Sequence, residues 1–263
     1  MTDTYGAYGD VSVAVGPDFV AEVEIHRPPN NFFDVALIRS LADAYESLST
    51  DLACRAILLC AEGKHFCAGA DFHHESDADT LPAEGAASLY EEAVRLFRGD
   101  LPVVASVQGA AIGGGLGLAC SADFRVGAPE ARFAANFARL GFHQGFGLSV
   151  TLPHVVGNQR ALEMLYTGRR VAGEEAHRIG LCDRLVPLAD VRAAAGDLAA
   201  EIAASAPLAI KSIRRTMRGH LADAVAKVTE REDAEQIVLR STADFAEGTR
   251  ASFERRPPNF TGR

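Results

Sequence analysis

The chain has 263 residues, of which 48% are hydrophobic and 23% are charged, a composition typical of a globular protein with a sizeable apolar core. Its formal net charge of −9 argues against a nucleic-acid-binding protein, because such proteins carry a basic patch or stripe. The five cysteines are odd in number and form no C-x-x-C pair, so neither a disulfide framework nor a metal site is predicted. The thiols are expected to be reduced, as in a cytoplasmic protein. The segment "MTDTYGAYGD" is not an apolar leader, and no apolar run is long enough to span a membrane. We therefore expect a cytoplasmic protein without a membrane span.

The first half of the chain alternates apolar strand segments with helices. Val11 to Val15 and Val20 to Ile25 are predicted strands, separated by a turn at "GPD". Asp34 is a predicted N-cap for a helix that runs to about Leu48. "RAILLCAEG" then reads as a buried strand, and the polar loop "KHFCAGADFHHESD" follows it.

The same order of strand, turn and helix then recurs. A helix is predicted over residues 86–97, "PVVASVQG" is another buried strand, and the glycine-rich segment after it opens a helix at "GLGLACSA". "DFRVGA" and "ARFAA" are predicted short strands. This repetition indicates an α/β architecture.

Beyond about residue 150 the pattern is helical. The alanine-rich run over residues 188–204 and the segments from "PLAIKSIRRTMRGHL" to "EQIVLRS" all have helical composition. We therefore predict a core over residues 1–200 and a helical C-terminal region over residues 201–263.

The run "GAAIGGGLGLA" carries no acid, base or nucleophile, yet it holds Gly113, Gly114, Gly115 and Gly117. It fails the dinucleotide fingerprint G-x-G-x-x-G and the phosphate-binding P-loop. The remaining chemistry is that of the backbone: the first N–H groups of a helix are free, and glycine lets a ligand oxygen approach them closely. The alternative is a plain tight turn between strand and helix.

A second loop of small residues, "GKHFCAGAD", also follows a buried strand. Together with "PVVASVQGAAIGGGLGLACSADFRVG" and "ALEMLYTGRRVAGEEAHRIGLCDRLVP", it resembles the crotonase superfamily, the enoyl-CoA hydratase/isomerase family. The motifs occur in the family's order and cover nearly the whole chain.

The resemblance implies a crotonase-like spiral of ββα units, a helical C-terminal trimerisation region, and a homotrimer or homohexamer. It also implies an acyl-CoA thioester as substrate, with no separate cofactor because CoA is part of that substrate. By motif position, the N–H groups of Ala70 and Gly114 would form an oxyanion hole that polarises the thioester carbonyl.

The resemblance also implies a set of CoA-binding residues. Arg27 and Pro28 match the Arg-Pro loop of the family, and Ala68 and Asp71 flank the first N–H donor. Arg255 stands where relatives supply a cation to CoA, in some cases to the CoA of a neighbouring subunit. For each arginine the alternative is a solvated surface charge.

The chain departs from the family at its acids and bases. Hydratases carry two glutamates that activate and deliver water, and the matching positions here are Gly117 and Phe137. A third position, where dienoyl isomerases and aryl-CoA dehalogenases place an aspartate, is Gly145. The sequence therefore does not predict efficient hydration.

Replacement groups are available nearby. His143 is the first candidate base, because an unperturbed imidazole titrates near neutral pH. His73 and His74 follow the first donor loop, and Tyr90 and Glu91 lie on the helix that borders the acyl pocket in relatives.

Three interpretations remain open at this stage. The first is an enzyme that forms a thioester enolate and catalyses isomerisation, decarboxylation or C–C cleavage. The second is a binding protein that holds acyl-CoA without turnover. The third is an oligomeric scaffold in which the glycines serve packing alone.

Overall fold

The computed structural model describes residues 3–71 and 83–263. The strands are β1 (Asp3–Tyr8), β2 (Val11–Val15), β3 (Val20–Ile25), β4 (Ala56–Ala61), β5 (Val103–Val107), β6 (Ala110–Ile112), β7 (Phe124–Gly127), β8 (Arg132–Ala134), β9 (Val171–Ala172) and β10 (Arg184–Leu185). The helices are α1 (Val35–Thr50), α2 (Ala83–Arg98), α3 (Gly114–Ser121), α4 (Leu148–Val156), α5 (Asn158–Thr167), α6 (Gly173–Arg178), α7 (Val191–Ala203), α8 (Pro207–Arg240) and α9 (Ala243–Phe253). Two short 3-10 helices span Asn136–Leu140 and Leu188–Asp190.

The strands form two sheets. The larger has seven strands in the order β1-β2-β3-β4-β5-β7-β10, and the smaller has three in the order β6-β8-β9. In the larger sheet β1, β2 and β3 are antiparallel, whereas β3, β4, β5, β7 and β10 are parallel. Every residue of β4 is buried, because α1 packs on one face of this sheet and α7 on the other. The α/β architecture expected from the sequence is confirmed.

Most of the sequence-predicted elements appear with small shifts. The side chain of Asp34 accepts the N–H of Leu37 at 2.8 Å, which confirms it as the N-cap of α1. The helix predicted over residues 86–97 runs from 83 to 98. The prediction of a simple turn after β5 was wrong: β6 forms there, because it pairs in parallel with β8 across the smaller sheet.

The C-terminal helices are longer than the sequence pattern indicated. The two helical stretches predicted after residue 206 form one continuous helix of 34 residues, α8. In the described part of the chain, no single helix combines the length and apolar character needed to cross a membrane. Among the described residues, one pair of consecutive helices has the required length and apolar character when the two are taken together. This pair is α7 and α8, and it is bent by 105° at the break between them.

A buried cluster of charges ties α8 to the main sheet. Asp123 accepts the N–H of Val103 at 2.8 Å and pairs with Arg214 and Arg218, each at 3.0 Å. The side chains of Arg214 and Asp123 are only 8% and 9% exposed. Removing one charge from such a group leaves the others buried and uncompensated.

We therefore expect Asp123→Asn to lower the free energy of unfolding by about 3–5 kcal/mol. Asp100→Asn is the matched control, since Asp100 pairs with the exposed Arg215 and such pairs contribute about 0–1 kcal/mol. Denaturant unfolding at one fixed protomer concentration measures both variants. Equal losses in the two variants would contradict this view of the cluster.

Candidate active site

The glycine-rich turn between β6 and α3 leaves a backbone N–H free at the start of a buried helix. Gly113 has φ +58°, a left-handed conformation that favours glycine, and its N–H donates to the carbonyl of Ala134 at 2.8 Å. Gly114 then begins α3, whose residues are all buried. Within the described ranges no acceptor lies at the Gly114 N–H, as is usual in the first turn of a helix.

The second free N–H belongs to the loop that follows β4. The N–H of Cys67 donates to Ala110 at 2.9 Å, and its carbonyl accepts the N–H of Ile112 at 3.1 Å, so the loop runs alongside β6. Ala70 follows three residues later and is half-buried. Its N–H also finds no acceptor in the part of the chain that the structure describes.

These two loops touch through backbone atoms, and the contact requires glycine on both sides. A Cβ on Gly115 would lie 2.2 Å from the carbonyl oxygen of Cys67. A Cβ on Gly69, which has φ +97°, would lie 2.9 Å from the carbonyl oxygen of Ile112. The structure thus brings together the two strand-end loops that carry Ala70 and Gly114.

Phe33 covers the first glycine of α3. A Cβ on Gly114 would lie 2.3 Å from the nearest ring carbon of Phe33. The N–H of Phe33 donates to the carbonyl of Gly69 at 3.0 Å, which fixes the aromatic residue to the same loop as Ala70. The sequence analysis did not single out Phe33, because nothing in the pattern "NNFFD" shows which ring will face a distant glycine.

An aromatic ring packs on Gly117, the position that the resemblance matched to a hydratase glutamate. A Cβ on Gly117 would lie 2.6 Å from the Cβ of Phe146 and 2.8 Å from its ring. Phe146 is fully buried, has φ +60°, and packs edge-to-face on Phe33 with ring centroids 5.6 Å apart. A positive φ at a bulky residue is a strained conformation that the surrounding packing has to hold. The Phe146 side chain therefore leaves no room for a carboxylate at position 117.

Phe137 and Gly145, the other two positions that the resemblance matched to acids, are also closely packed. Phe137 is buried and packs edge-to-face on Phe142, with ring centroids 5.3 Å apart. A Cβ on Gly145 would lie 2.2 Å from the hydroxyl oxygen of Tyr90 and 2.6 Å from the amide nitrogen of Gln236. A phenol and an amide thus take up the space that a side chain at position 145 would need.

His143 is half-buried on the loop before α4. Its Nδ1 lies 2.8 Å from the carbonyl oxygen of Gln144, and since a carbonyl only accepts, Nδ1 is the donor in this hydrogen bond. The carbonyl of His143 accepts a hydrogen bond from Gln236 at 2.9 Å. Among the described residues its contacts tie it to α8 and to its own loop, and none joins it to Ala70 or Gly114.

A buried carboxylate that the sequence analysis missed holds this loop in place. Glu232 of α8 is fully buried and accepts the N–H groups of Gly147 and Ser149 at 2.8 and 3.0 Å, at the start of α4. Burial raises the pKa of Glu232, although these hydrogen bonds and the nearby His143 act in the opposite direction. In the sequence Glu232 stands within the charged run "EREDAEQ", where no signal distinguishes it from its exposed neighbours.

Four of the predicted CoA-binding residues, Arg27, Pro28, Ala68 and Asp71, lie on two adjacent loops. Arg27 is half-buried between Asp10 and Asp34, at 2.6 and 3.0 Å. Burial alone would lower the pKa of Arg27, but the hydrogen bonds to these carboxylates raise it. Pro28 is exposed next to this arginine. The N–H of Ala68 donates to the carbonyl of Asn30 at 2.9 Å, so the Arg-Pro loop and the first donor loop are adjacent.

Asn31 joins these two loops and is another residue that the sequence analysis missed. Its buried side chain accepts the N–H of Arg27 at 3.0 Å and donates to the carbonyls of Glu62 and His65 at 2.9 and 2.6 Å. Asp71 is half-buried at the end of the second loop. The side chain of Asn31 thus fixes the position of the Arg-Pro loop relative to the donor loop.

The remaining predicted residues lie elsewhere or outside the description. Arg255 is exposed just after α9, and no acid of the described ranges pairs with it, whereas the adjacent Arg256 pairs with Glu247. His73 and His74 lie outside the described residues.

One group of side chains in the described ranges has the spacing of metal ligands. It consists of Glu22, Glu24 and Cys60. Arg192 contacts both carboxylates and supplies the positive charge there, and burial raises the pKa of the Cys60 thiol. Because Arg192 pairs with both carboxylates, we interpret this group as an ion-paired cluster on the main sheet and not as a metal site.

Comparison with known structures defines the class of fold. The structure of an enoyl-CoA hydratase/isomerase from Pseudoalteromonas atlantica T6c matches 96% of this chain and 100% of its own, with a TM-score of 0.84 at 30% identity. An enoyl-CoA hydratase from Mycobacterium avium subsp. paratuberculosis K-10 matches 97% of this chain and 100% of its own, with a TM-score of 0.83 at 27% identity. The fold is therefore crotonase-like, as the resemblance implied.

Sequence comparisons then identify the family. The model of the enoyl-CoA hydratase/isomerase family matches residues 16–263. A probable enoyl-CoA hydratase of Bacillus subtilis (strain 168) is 31% identical over 264 residues, covering 96% of this chain and 98% of its own. A carnitinyl-CoA dehydratase of Salmonella enteritidis is 31% identical over 255 residues, covering 93% of this chain and 95% of its own. The chain belongs to the enoyl-CoA hydratase/isomerase family.

The packing of Phe146 on Gly117 can be tested by adding one methyl group. We expect Gly117→Ala to lower the free energy of unfolding by about 1–3 kcal/mol, because the added Cβ overlaps a buried ring. Gly196→Ala in α7 is the matched control: its nearest neighbour would be 3.8 Å away, and alanine stabilises a helix by roughly 0.5–1 kcal/mol over glycine. Chemical unfolding of both variants at one protomer concentration gives the comparison. A Gly117→Ala protein as stable as the Gly196→Ala protein would show that Phe146 moves aside freely.

Proposed function

We propose that this protein is an acyl-CoA enzyme that stabilises a thioester enolate with the N–H groups of Ala70 and Gly114. Its reaction is isomerisation, decarboxylation or C–C cleavage rather than efficient hydration. Membership of the family supports the acyl-CoA substrate, since relatives are named for enoyl-CoA and carnitinyl-CoA chemistry.

The oxyanion hole is supported by two free donors on touching loops. Neither N–H is used within the described part of the chain, and both belong to backbone that glycine contacts hold rigidly in place. Preorganised donors of this kind stabilise a developing negative charge without reorganising during the reaction, and one such donor contributes about 2.7–4 kcal/mol in an acyl-transfer enzyme.

The packing at positions 117, 137 and 145 is the observation that carries the choice of reaction. Hydration needs positioned groups to activate water and deliver its proton. Here a phenylalanine ring covers Gly117, Phe137 itself is apolar, and a tyrosine hydroxyl faces Gly145. Reactions that need one base, or only the carboxylate of the substrate, do not depend on the missing pair.

His143 is the proposed base. Its Nδ1 donates to the carbonyl of Gln144, which leaves Nε2 as the nitrogen that could take a proton from the α carbon. We further propose that Arg27, Pro28, Ala68 and Asp71 bind CoA along the edge of the two loops, and that Arg255 supplies a cation from the outside of the protomer.

The assembly and location are part of the same proposal. We propose a homotrimer or homohexamer that assembles through residues 201–263 and is located in the cytoplasm. Exposed apolar side chains on α8 support the assembly, because association would bury them. They include Leu208, Ile213 and Met217, which are 81%, 58% and 65% exposed in the protomer.

The absence of a carboxylate at all three positions also favours a second candidate function. In that case the protein binds acyl-CoA in the same oxyanion hole but does not turn it over. The two candidates differ in whether the α proton of a bound thioester exchanges with solvent.

Exchange of the α proton distinguishes them. We expect butyryl-CoA incubated with the protein in D₂O to gain deuterium at the α carbon, as followed by mass spectrometry. His143→Ala should abolish this exchange but retain binding in a thermal-shift assay, since it keeps the carbonyl that Gln236 contacts. Binding without exchange in the unmodified protein would contradict His143 as the base that removes the α proton, and it would favour the binding-protein alternative.

Hydration of crotonyl-CoA tests the choice of reaction. Because positioned acids and bases accelerate proton transfer by about 10²–10⁴-fold, we expect hydration at least about a hundredfold slower than in a relative with both glutamates. Loss of the unsaturated-thioester absorbance measures the rate. Hydration at the rate of such a relative would contradict the proposal.

A further inference from the structure

The hydroxyl of Tyr90 projects into the space that a side chain on Gly145 would fill. Its oxygen would lie 2.2 Å from a Cβ on Gly145, which is closer than a non-bonded contact allows. Tyr90 lies on α2 and is only 7% exposed. A glycine at position 145 is therefore what allows this phenol to reach the loop before α4.

Gln236 fixes the direction of that hydroxyl. Its side-chain oxygen accepts from Arg240 at 3.0 Å, and its amide nitrogen donates to the carbonyl of His143 at 2.9 Å, so the amide has one orientation. Burial raises the pKa of Tyr90, with Glu232 contributing in the same direction, and a hydrogen bond from Gln236 opposes it only in part. The phenol stays protonated, and its oxygen accepts from the amide.

Among the residues that the structure describes, the Tyr90 hydroxyl has the Gln236 amide as its partner, and it donates in none of the side-chain hydrogen bonds found there. Its capacity to donate is therefore unused within the described ranges. Buried polar groups in proteins are nearly always paired, and an unpaired donor carries the full cost of its desolvation. An oxygen atom of a bound ligand would satisfy this donor.

The hydroxyl lies close to the proposed oxyanion hole. Gly145 is adjacent to Phe146, and the Phe146 side chain packs on Gly117, which is less than one helical turn from Gly114 in α3. These contacts place Phe146 and Tyr90 along the side of α3 that carries Gly117, next to the proposed position of a ligand carbonyl at Gly114.

We infer that Tyr90 is a specificity-determining residue that donates a hydrogen bond to an oxygen on carbon 3 of the acyl group, and that the substrate is a 3-oxoacyl-CoA. The inference rests on the proposed function. Carbon 3 is the nearest position at which a thioester can carry a second carbonyl while its α carbon remains free to become an enolate. That carbonyl also makes the α proton more acidic, which suits a site whose three acid positions hold no carboxylate.

Binding affinities of thioesters matched in chain length test this inference. The probes are acetoacetyl-CoA against butyryl-CoA and 3-oxooctanoyl-CoA against octanoyl-CoA, with Kd measured by isothermal titration calorimetry. We expect the unmodified protein to bind each 3-oxo compound about tenfold more tightly than its saturated counterpart. In Tyr90→Phe the preference should fall to about twofold or less, with the affinity for the saturated compounds unchanged.

Tyr45→Phe is the matched control. The Tyr45 hydroxyl is buried without a partner among the described residues, but Tyr45 lies on the buried face of α1 in the main core, so its removal should leave the preference intact. Equal affinities of the unmodified protein for both members of each pair would overturn the inference while leaving the proposed function standing. A tenfold preference that persists in Tyr90→Phe would likewise overturn the inference and leave the proposed function standing. If none of the four thioesters binds at millimolar concentration, the proposed function fails and the inference with it.

Discussion

The backbone contact between the loop after β4 and the glycine turn before α3 is the constraint on which the rest of the site depends. It needs three things at once: a glycine at 115 to clear the carbonyl of Cys67, a left-handed glycine at 69 to clear Ile112, and a parallel bridge that aligns the loop with β6. The first loop leaves the buried strand β4, and the glycine turn follows β6, the short strand after β5. In the proposed function, the chemistry of Ala70 and Gly114 is therefore a property of how these strands end and not of any side chain.

Aromatic side chains pack around these two loops. Phe33 and Phe146 pack on Gly114 and Gly117 and on one another, and they make this part of the wall apolar. The polar side chains nearby come from helices, with Tyr90 on α2 and Gln236 on α8. In the proposed function, this combination of an apolar surface and a hydroxyl group suits a substrate that already carries an acidic α proton.

The features that the sequence predicted depend on residues close together in the chain, and the features that it missed depend on residues far apart. The alternation of strands and helices, the N-cap at Asp34 and the glycine-rich start of α3 could be predicted, because local propensity and glycine patterns determine them. Strand β6 is three residues long and forms only because β8 lies beside it, so no local pattern indicates it. Phe33 and Glu232 act on residues 81 and 85 positions away in sequence, and one chain without its fold does not reveal such pairs.

The central claim is that the backbone N–H groups of Ala70 and Gly114 hold the oxygen of a thioester. A crystal structure of the protein with a bound acyl-CoA tests it most directly. The account predicts the thioester carbonyl oxygen at about 2.7–3.1 Å from both backbone nitrogens. An ordered acyl-CoA whose carbonyl oxygen contacts neither nitrogen would contradict it.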